Sequence, residues 1–359
     1  MLFDTWFESH LGGGFGNGSD TGHNGSHEPA STVGQEYLLS DSGALSAVKG
    51  PTISAHGGYH PPSPSAVPGT PTSPPPPPPP PPPAGTLVGA AGGLQIDLIW
   101  DSSVASAPAG FQQAIITAAQ YLASLSSTAA VLNIQVGYGE VGGTAMSSGA
   151  LGESESYGYL TGYATVVNAL AHDNYPVAAA SNAPTGAQFF VTSAEAKAMG
   201  LASATASSVD GFIGLSSSYP LDYSTSGSPA GSTSYSAVGV AEHELSEVMG
   251  RIGMEGRIFN GAPTYTPLDL FNYASAGHLE LSGGGGYFSV SGGSTALGTY
   301  NNSAANGGDI ADWASGHGPV ANDAFNAYTS PGPTTVSSAD VQEIAALGYK
   351  LTATGSSLA

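Results

Sequence analysis

The chain has 359 residues, with 26 Asp and Glu against five Lys and Arg, so its formal net charge at pH 7 is −21. Such a charge repels nucleic acids and anionic membrane surfaces, and neither is expected as a partner. The absence of cysteine excludes disulfide bonds and thiolate metal ligands. No apolar run approaches the length of a membrane-spanning helix, so no membrane insertion is expected.

Residues 1–90 are rich in Gly, Ser, His and Pro, and a run of prolines extends from Pro74 to Pro83. Proline cannot donate a backbone hydrogen bond, so this run predicts an extended polyproline II linker. We expect residues 1–90 to be disordered, residues 91–352 to form one folded domain, and residues 353–359 to be a tail. The composition is typical of a secreted bacterial protein, although the first residues lack the basic and apolar regions of a standard signal peptide.

The folded domain is predicted to open with a strand, a helix and a second strand, which favours a mixed sheet. Further elements are a short helix, a strand at Phe212–Leu215, a helix carrying the main motif, Gly-rich hairpins and a closing helix capped by Ser337. The segments are "LQIDLIWD", "PAGFQQAIITAAQYLASL", "AVLNIQVGYGEV", "YATVVNALAHD", "DGFIGL", "VAEHELSEVMGRIG", "SGGGGYFSVSGGSTALGTYN" and "SSADVQEIAALGY". The predicted fold class is α+β.

The stretch "VAEHELSEVMGRIG" (240–253) carries the main chemical signal. Residues four apart on a helix share a face, so His243 and Glu247 are predicted to reach the same metal ion. Glu244 lies about 100° round the helix, where it can reach a water bound to that ion. The arrangement is that of the zinc-protease motif HExxH, with a carboxylate replacing the second histidine. It predicts a Zn²⁺ site with Glu244 as general base.

The motif continues as HExxExxG and thereby resembles metzincin proteases, in which the glycine, here Gly250, turns the chain out of the helix. Their next ligand position is Gly253 here, which offers no side chain. The later stretch "TYTPLDLFNY" resembles that of aspzincins. This resemblance implies Asp269 as the third ligand and Tyr273 as a hydrogen-bond donor to the tetrahedral intermediate. Other candidates for the third ligand are Glu255, His278 and His317.

The chain from Leu94 to Tyr349 resembles an uncharacterised family of predicted bacterial secreted zinc metalloproteases. The similar pieces are "LIWDSSVASAPAGFQQAI", "VGYGEV", "GALGES", "AEHELSEVMGR", "LDLFNYASAG", "GGDIADW" and "ALGY". The resemblance implies a zincin-like domain, an extracellular location and hydrolysis of protein or peptide substrates. In zincins an edge strand binds the substrate backbone, and Phe212–Leu215 is predicted to be that strand.

Two carboxylate ligands would cancel the 2+ charge of zinc, so the sequence predicts a less acidified water, and hence a slower enzyme or a higher optimum pH than three histidines would give. A second interpretation of the helix is an ion pair between Glu247 and Arg251, which are four residues apart. The loop "GGDIADWASGHG" holds Asp309, Asp312 and His317, which could bind a structural Ca²⁺ or serve as polar turns.

Two other functional classes stay open. One is a catalytically inactive zincin-like surface or adhesion protein, or a calcium-stabilised binding module. The other is a metallohydrolase that acts on non-peptide substrates. Metal content and the activity of a Glu244→Gln variant separate these classes from a peptidase, whereas the oligomeric state has no signal in the sequence.

Overall fold

The computed structural model describes residues 36–40, 45–47, 85–172, 176–225, 233–302, 308–314 and 317–359. All of them belong to a unit that spans Val33–Ala359. The predicted polyproline linker and the five histidines of residues 1–90 lie outside the described residues; these are His10, His23, His27, His56 and His60. Among the helices of the described part, none combines the length and the apolar character needed to cross a bilayer.

Strands form most of the regular structure between the N-terminal part and the final helices. In chain order they are β1 Glu36–Ser40, β2 Leu45–Ala47, β3 Thr86–Val88, β4 Gln95–Trp100, β5 Val131–Tyr138, β6 Glu140–Val141, β7 Thr144–Ala145, β8 Gly152–Gly162, β9 Gln188–Thr192, β10 Gly211–Leu215, β11 Leu221–Asp222, β12 Tyr235–Ser236, β13 Arg257–Phe259, β14 Ala262–Tyr265, β15 Asn272–Ser275, β16 His278–Leu279, β17 Tyr287–Phe288 and β18 Gly298–Thr299.

Helices lie between these strands along the chain and follow the last of them. They are α1 Phe111–Leu125, α2 Tyr163–His172, α3 Ser193–Ala198, α4 Ala237–Val248, α5 Ser338–Ala346 and α6 Ala353–Leu358, with short 3-10 helices at Ser102–Ser106 and Leu268–Phe271. The α1 helix buries an apolar face that includes Phe111, Ile115 and Leu122, and it packs against α4. Burial of this face fixes α4 over the sheet.

A ten-stranded mixed sheet is the framework of the domain, with the main order β13-β14-β9-β8-β10-β5-β4-β3. Strands β4, β5 and β10 run parallel, while β8 runs antiparallel to both β9 and β10. The predicted α+β class with a mixed sheet is therefore confirmed.

The prediction that Phe212–Leu215 forms the edge strand is wrong. This segment lies in β10, which pairs with β5 on one side and with β8 on the other. The long strand β8 has the freer edge: β1 pairs with it only at Glu155–Tyr159. Among the described residues, none pairs with Gly152–Ser154 on that side.

The predicted domain boundaries also need correction. Strands β1, β2 and β3 precede residue 91 and belong to the main sheet, so the segment 1–90 contributes to the fold. The supposed tail contains α6, whose first turn is capped by the Thr352 hydroxyl accepting a hydrogen bond from the Gly355 amide at 3.0 Å. These pieces are too short to show a periodic apolar pattern, and only tertiary packing reveals them.

The C-terminal part packs its aromatic residues on a small sheet with the order β16-β15-β17-β18. The Trp313 ring is fully buried and stacks on Tyr300 at a centroid distance of 5.1 Å, with Phe288 at 6.1 Å. The Trp313 indole donates a 2.7 Å hydrogen bond to Asp340 of α5. This packing holds the segment 308–314 against the end of α4.

Candidate metal centre

The helix α4 presents the main motif, and both of its ends are defined by their sequence. At the start, the Ser236 hydroxyl accepts a hydrogen bond from the Gly239 amide at 3.1 Å, as expected of an N-cap. At the end, Gly250 adopts φ +119°, and a Cβ added there would lie 2.9 Å from the Glu195 carboxyl carbon. The predicted role of Gly250 in ending the helix agrees with this geometry.

The structure places His243 and Glu247 together on one face of α4, with Nε2 of His243 3.1 Å from Oε1 of Glu247. A third group joins them: Oδ1 of Asp312 lies 3.4 Å from the same Nε2. One ligand atom from each of the three residues lies within 4.8 Å of the other two. His243, Glu247 and Asp312, called the metal-ligand group below, could hold a metal ion.

The imidazole of His243 is oriented by its other nitrogen. With the proton on Nδ1, that atom donates a 2.8 Å hydrogen bond to the Ala324 carbonyl oxygen. The lone pair of Nε2 then points toward Glu247 and Asp312. A backbone carbonyl that fixes the tautomer in this way is typical of metal-ligating histidines.

Asp269, the ligand implied by the aspzincin resemblance, is not brought to this group. Its Oδ2 accepts hydrogen bonds from the amides of Thr266 at 2.8 Å and Met254 at 3.1 Å, so it closes a local turn. Burial and the neighbouring carboxylate of Glu255 raise the pKa of Asp269 well above its ordinary value. Asp269 and Glu255, both of which were candidates for the third ligand, therefore contact each other.

The remaining candidates also lie elsewhere. Tyr273 is buried in the C-terminal sheet, where its ring lies 6.4 Å from that of Tyr287, and it does not line the cleft at His243. His278 is exposed and lies 3.1 Å from the Ser181 hydroxyl, and His317 is exposed as well. Asp309 lines the cleft, and of the three residues named in the predicted Ca²⁺ loop only Asp312 belongs to the ligand group formed by the described residues.

Glu244, the predicted general base, is buried at the bottom of the same cleft. Its carboxylate lies against Gly152 of β8, where a Cβ would collide with Oε1 of Glu244. The absence of a side chain at Gly152 thus makes room for the carboxylate beside the metal-ligand group. This neighbour was not predicted from the sequence, because β8 was not recognised as a strand.

The predicted ion pair between Glu247 and Arg251 is present and is part of a larger network. Nη2 of Arg251 lies 3.3 Å from Oε1 of Glu247, and Nη1 donates a 2.5 Å hydrogen bond to Oδ1 of Asp312. The guanidinium is fully buried and lies over the Phe325 ring at 4.4 Å. The ion pair and the metal-ligand group share the same two carboxylate oxygens.

Charge pairing dominates the electrostatics of the centre. Burial alone would raise the pKa of Glu247, but His243, Arg251 and the Ser154 hydroxyl lower it to about 2. Burial would lower the pKa of His243, yet the carboxylates of Asp312 and Glu247 raise it. In the absence of a metal ion, the two carboxylates therefore favour the protonated form of His243, while burial raises the pKa of Asp312.

A cleft of about 630 Å³ opens onto the centre, and its walls come from the 141–155 region, α4 and the C-terminal loops. The His243 side chain is 15% exposed and so faces this space. From β8, the Ser154 hydroxyl donates a 2.7 Å hydrogen bond to Oε2 of Glu247. A small molecule or a chain segment entering the cleft can therefore reach the ligand group.

Comparisons with known proteins return nothing: no family model, no curated protein and no solved structure matches the chain.

Proposed function

We propose that the protein is a zinc-dependent peptidase whose metal ligands are His243, Glu247 and Asp312. One observation carries the proposal: an imidazole nitrogen and two carboxylate oxygens converge within 4.8 Å at the bottom of a cleft. The glutamate that follows the histidine lines the same cleft. The resemblance of the sequence to secreted bacterial zinc metalloproteases points in the same direction.

The donor set is compatible with zinc. Zinc accepts imidazole nitrogen and carboxylate oxygen, and catalytic zinc sites combine three protein ligands with an open position. The three side chains here are preoriented by the Ala324 carbonyl, the Ser154 hydroxyl and the Arg251 guanidinium. A bound zinc ion would supply Lewis acidity that lowers the pKa of water and polarises a carbonyl group.

Glu244 is the residue we assign to proton transfer. Glu244 follows His243 directly in α4, and its carboxylate lies between this helix and Gly152 at the start of β8. From there it can accept a proton from the attacking water and return it to the leaving amine, which is the ordinary role of a general base in amide hydrolysis. Its burial excludes bulk water from the carboxylate, which strengthens its electrostatic interactions.

In this proposal the substrate is a polypeptide that enters the cleft. Gly152–Ser154 of β8 lie along it, and no described strand pairs with their outer edge. An extended peptide could add to this edge through backbone hydrogen bonds, a common mode of peptide recognition. In this proposal β8 takes the role that the sequence assigned to Phe212–Leu215.

The direct test is hydrolysis of a mixed peptide library by the zinc-loaded full chain, followed by mass spectrometry. We expect cleavage that the Glu244→Gln variant loses by about 10²-fold or more while it keeps its zinc, since a general base contributes 10²–10⁴-fold. Asp309→Asn removes another carboxylate that lines the cleft but lies outside the β8 edge, and it serves as the matched control. Absence of cleavage in a wild-type protein that binds zinc would overturn the peptidase proposal.

A further inference from the structure

Arg251 is the cation in direct contact with the candidate metal centre. It is fully buried, and each of its three nitrogens has a side-chain partner. Nη1 bonds Asp312, Nη2 faces Glu247, and Nε donates a 2.8 Å hydrogen bond to the Ser246 hydroxyl. The Phe325 ring covers one face of the guanidinium. Packing and hydrogen bonds therefore fix the position of the positive charge.

The two carboxylates that Arg251 contacts come from separate parts of the chain. Glu247 precedes it by one helical turn, whereas Asp312 follows it by 61 residues and belongs to the segment that packs around Trp313. In each carboxylate, the oxygen that Arg251 contacts is also the oxygen that faces Nε2 of His243. These atoms are Oε1 of Glu247 and Oδ1 of Asp312. Arg251 is thus the contact that joins the helix ligands to the ligand from the C-terminal part.

We propose that Arg251 is the positioning residue of this centre, which holds the carboxylates of Glu247 and Asp312 in a single arrangement that converges with His243. The inference rests on the proposed metal centre. It also changes the charge expected from the sequence. Two carboxylates would cancel the charge of a divalent ion, but the guanidinium adds one positive charge, so the loaded centre keeps a net charge of +1.

Two opposing effects decide what happens when Arg251 is lost. The guanidinium repels a divalent ion, so its removal by itself would favour binding. However, the two buried carboxylates would then keep His243 as their shared contact and Ser154 on Glu247, while Asp312 would lose its 2.5 Å hydrogen bond. Such pairs turn apart or bind a proton, and either change removes a ligand. We expect this second effect to dominate, because loss of an orienting partner commonly weakens metal affinity by about 10–100-fold.

The test measures the zinc dissociation constant of the full chain by chelator competition, together with the visible spectrum of the cobalt-loaded protein. The variants are Arg251→Met, which removes the charge and the donors, and Arg251→Lys, which keeps the charge but loses the paired donors. Ser246→Ala is the matched control, because it removes a partner of Arg251 without touching either carboxylate. Circular dichroism reports whether each variant is folded.

We expect zinc binding to weaken by about 10–100-fold in Arg251→Met and by less in Arg251→Lys, with altered cobalt spectra in both and a nearly unchanged spectrum in Ser246→Ala. Equal or tighter zinc binding in a folded Arg251→Met would overturn the proposal. If Arg251→Met does not fold, wild-type affinity and spectrum in Arg251→Lys overturn it instead. A wild-type protein without zinc affinity rejects the metal centre itself, and the positioning role with it.

Discussion

Two buried carboxylate pairs in this protein differ in what surrounds them. Glu247 and Asp312 contact His243 and Arg251, and the pKa of Glu247 is lowered to about 2 by these partners. Glu255 and Asp269 lie buried without a cationic contact among the described residues, and burial raises the pKa of both. Burial raises the pKa of Asp312 as well, but its contacts with His243 and Arg251 oppose that rise, and the first pair opens to a cleft. Carboxylates that contact cations and face a cleft can serve as metal ligands, whereas a core pair without such contacts serves packing.

The largest expected difference between the two pairs is their response to loss of a partner. In the metal-free protein, Arg251→Met leaves Glu247 and Asp312 with His243 as their shared contact and should lower the free energy of unfolding by about 3–5 kcal/mol. Asp269→Asn removes one carboxyl from a pair without a cationic contact, and its amide can still bond Glu255, so a much smaller loss or a gain is expected. Urea denaturation at pH 7 measures both. Equal destabilisation by the two substitutions would remove the distinction.

The pH dependence of stability should have opposite signs for Asp269 and Glu247, one carboxyl from each pair. The folded pKa of Asp269 is raised, so its contribution is fully present below its unfolded pKa of about 4 and is lost as pH rises toward the folded value. Asp269→Asn should therefore flatten the fall in stability above about pH 4, by up to about 1.4 kcal/mol per pH unit. Thermal or urea unfolding across this range provides the measurement.

The folded pKa of Glu247 is instead lowered from 4.5 to about 2. Its stabilising contribution is present above the unfolded pKa and is lost as pH falls through that window. Glu247→Gln should therefore weaken the acid sensitivity of the metal-free protein below pH 4.5. An unchanged acid limb in that variant would contradict the ion-paired state of Glu247.

The smallest expected effect concerns α4, the helix that carries Glu247 of the first pair. Ser236→Ala removes the hydroxyl that caps α4 and should cost about 1 kcal/mol, with zinc affinity retained. Ser337→Ala at the capping box of α5 is the matched control, because it removes a cap of the same type from a helix that carries no ligand. A loss of zinc binding specific to Ser236→Ala would mean that the start of α4 positions the ligands more directly than proposed.

The sequence predicted those parts of the site that depend on local geometry. The i, i+4 spacing of His243 and Glu247, the position of Glu244 and the helix end at Gly250 all follow from the periodicity of one helix. Asp312 was recognised only as a calcium candidate, since its approach to His243 depends on Trp313 packing and on Arg251. No local pattern encodes a contact across 61 residues. The signal available in the sequence was Arg251, because it is one of only five basic residues and a buried arginine needs acidic partners.

The same limit explains the errors in the fold. Strand β8 reads "GESESYGYLTG", a polar segment whose buried Ser154 and Ser156 do not resemble a core pattern. Phe212–Leu215 was recognised as a strand by its apolar residues, and those residues are apolar because β10 lies inside the sheet. The strand available to a ligand is the polar one. Edge strands can therefore be distinguished from interior strands only when the pairing of the strands in the sheet is known.

Metal analysis of the full chain tests the central claim most directly, with zinc content measured after dialysis for the wild type, Asp312→Asn, Asp269→Asn and the cleft control Asp309→Asn. We expect about one zinc per chain in the wild type, in Asp269→Asn and in Asp309→Asn, and a large loss in Asp312→Asn alone. Zinc retained in Asp312→Asn but lost in Asp269→Asn would contradict the assignment of the third ligand. A wild-type protein without zinc would contradict the metal centre as a whole.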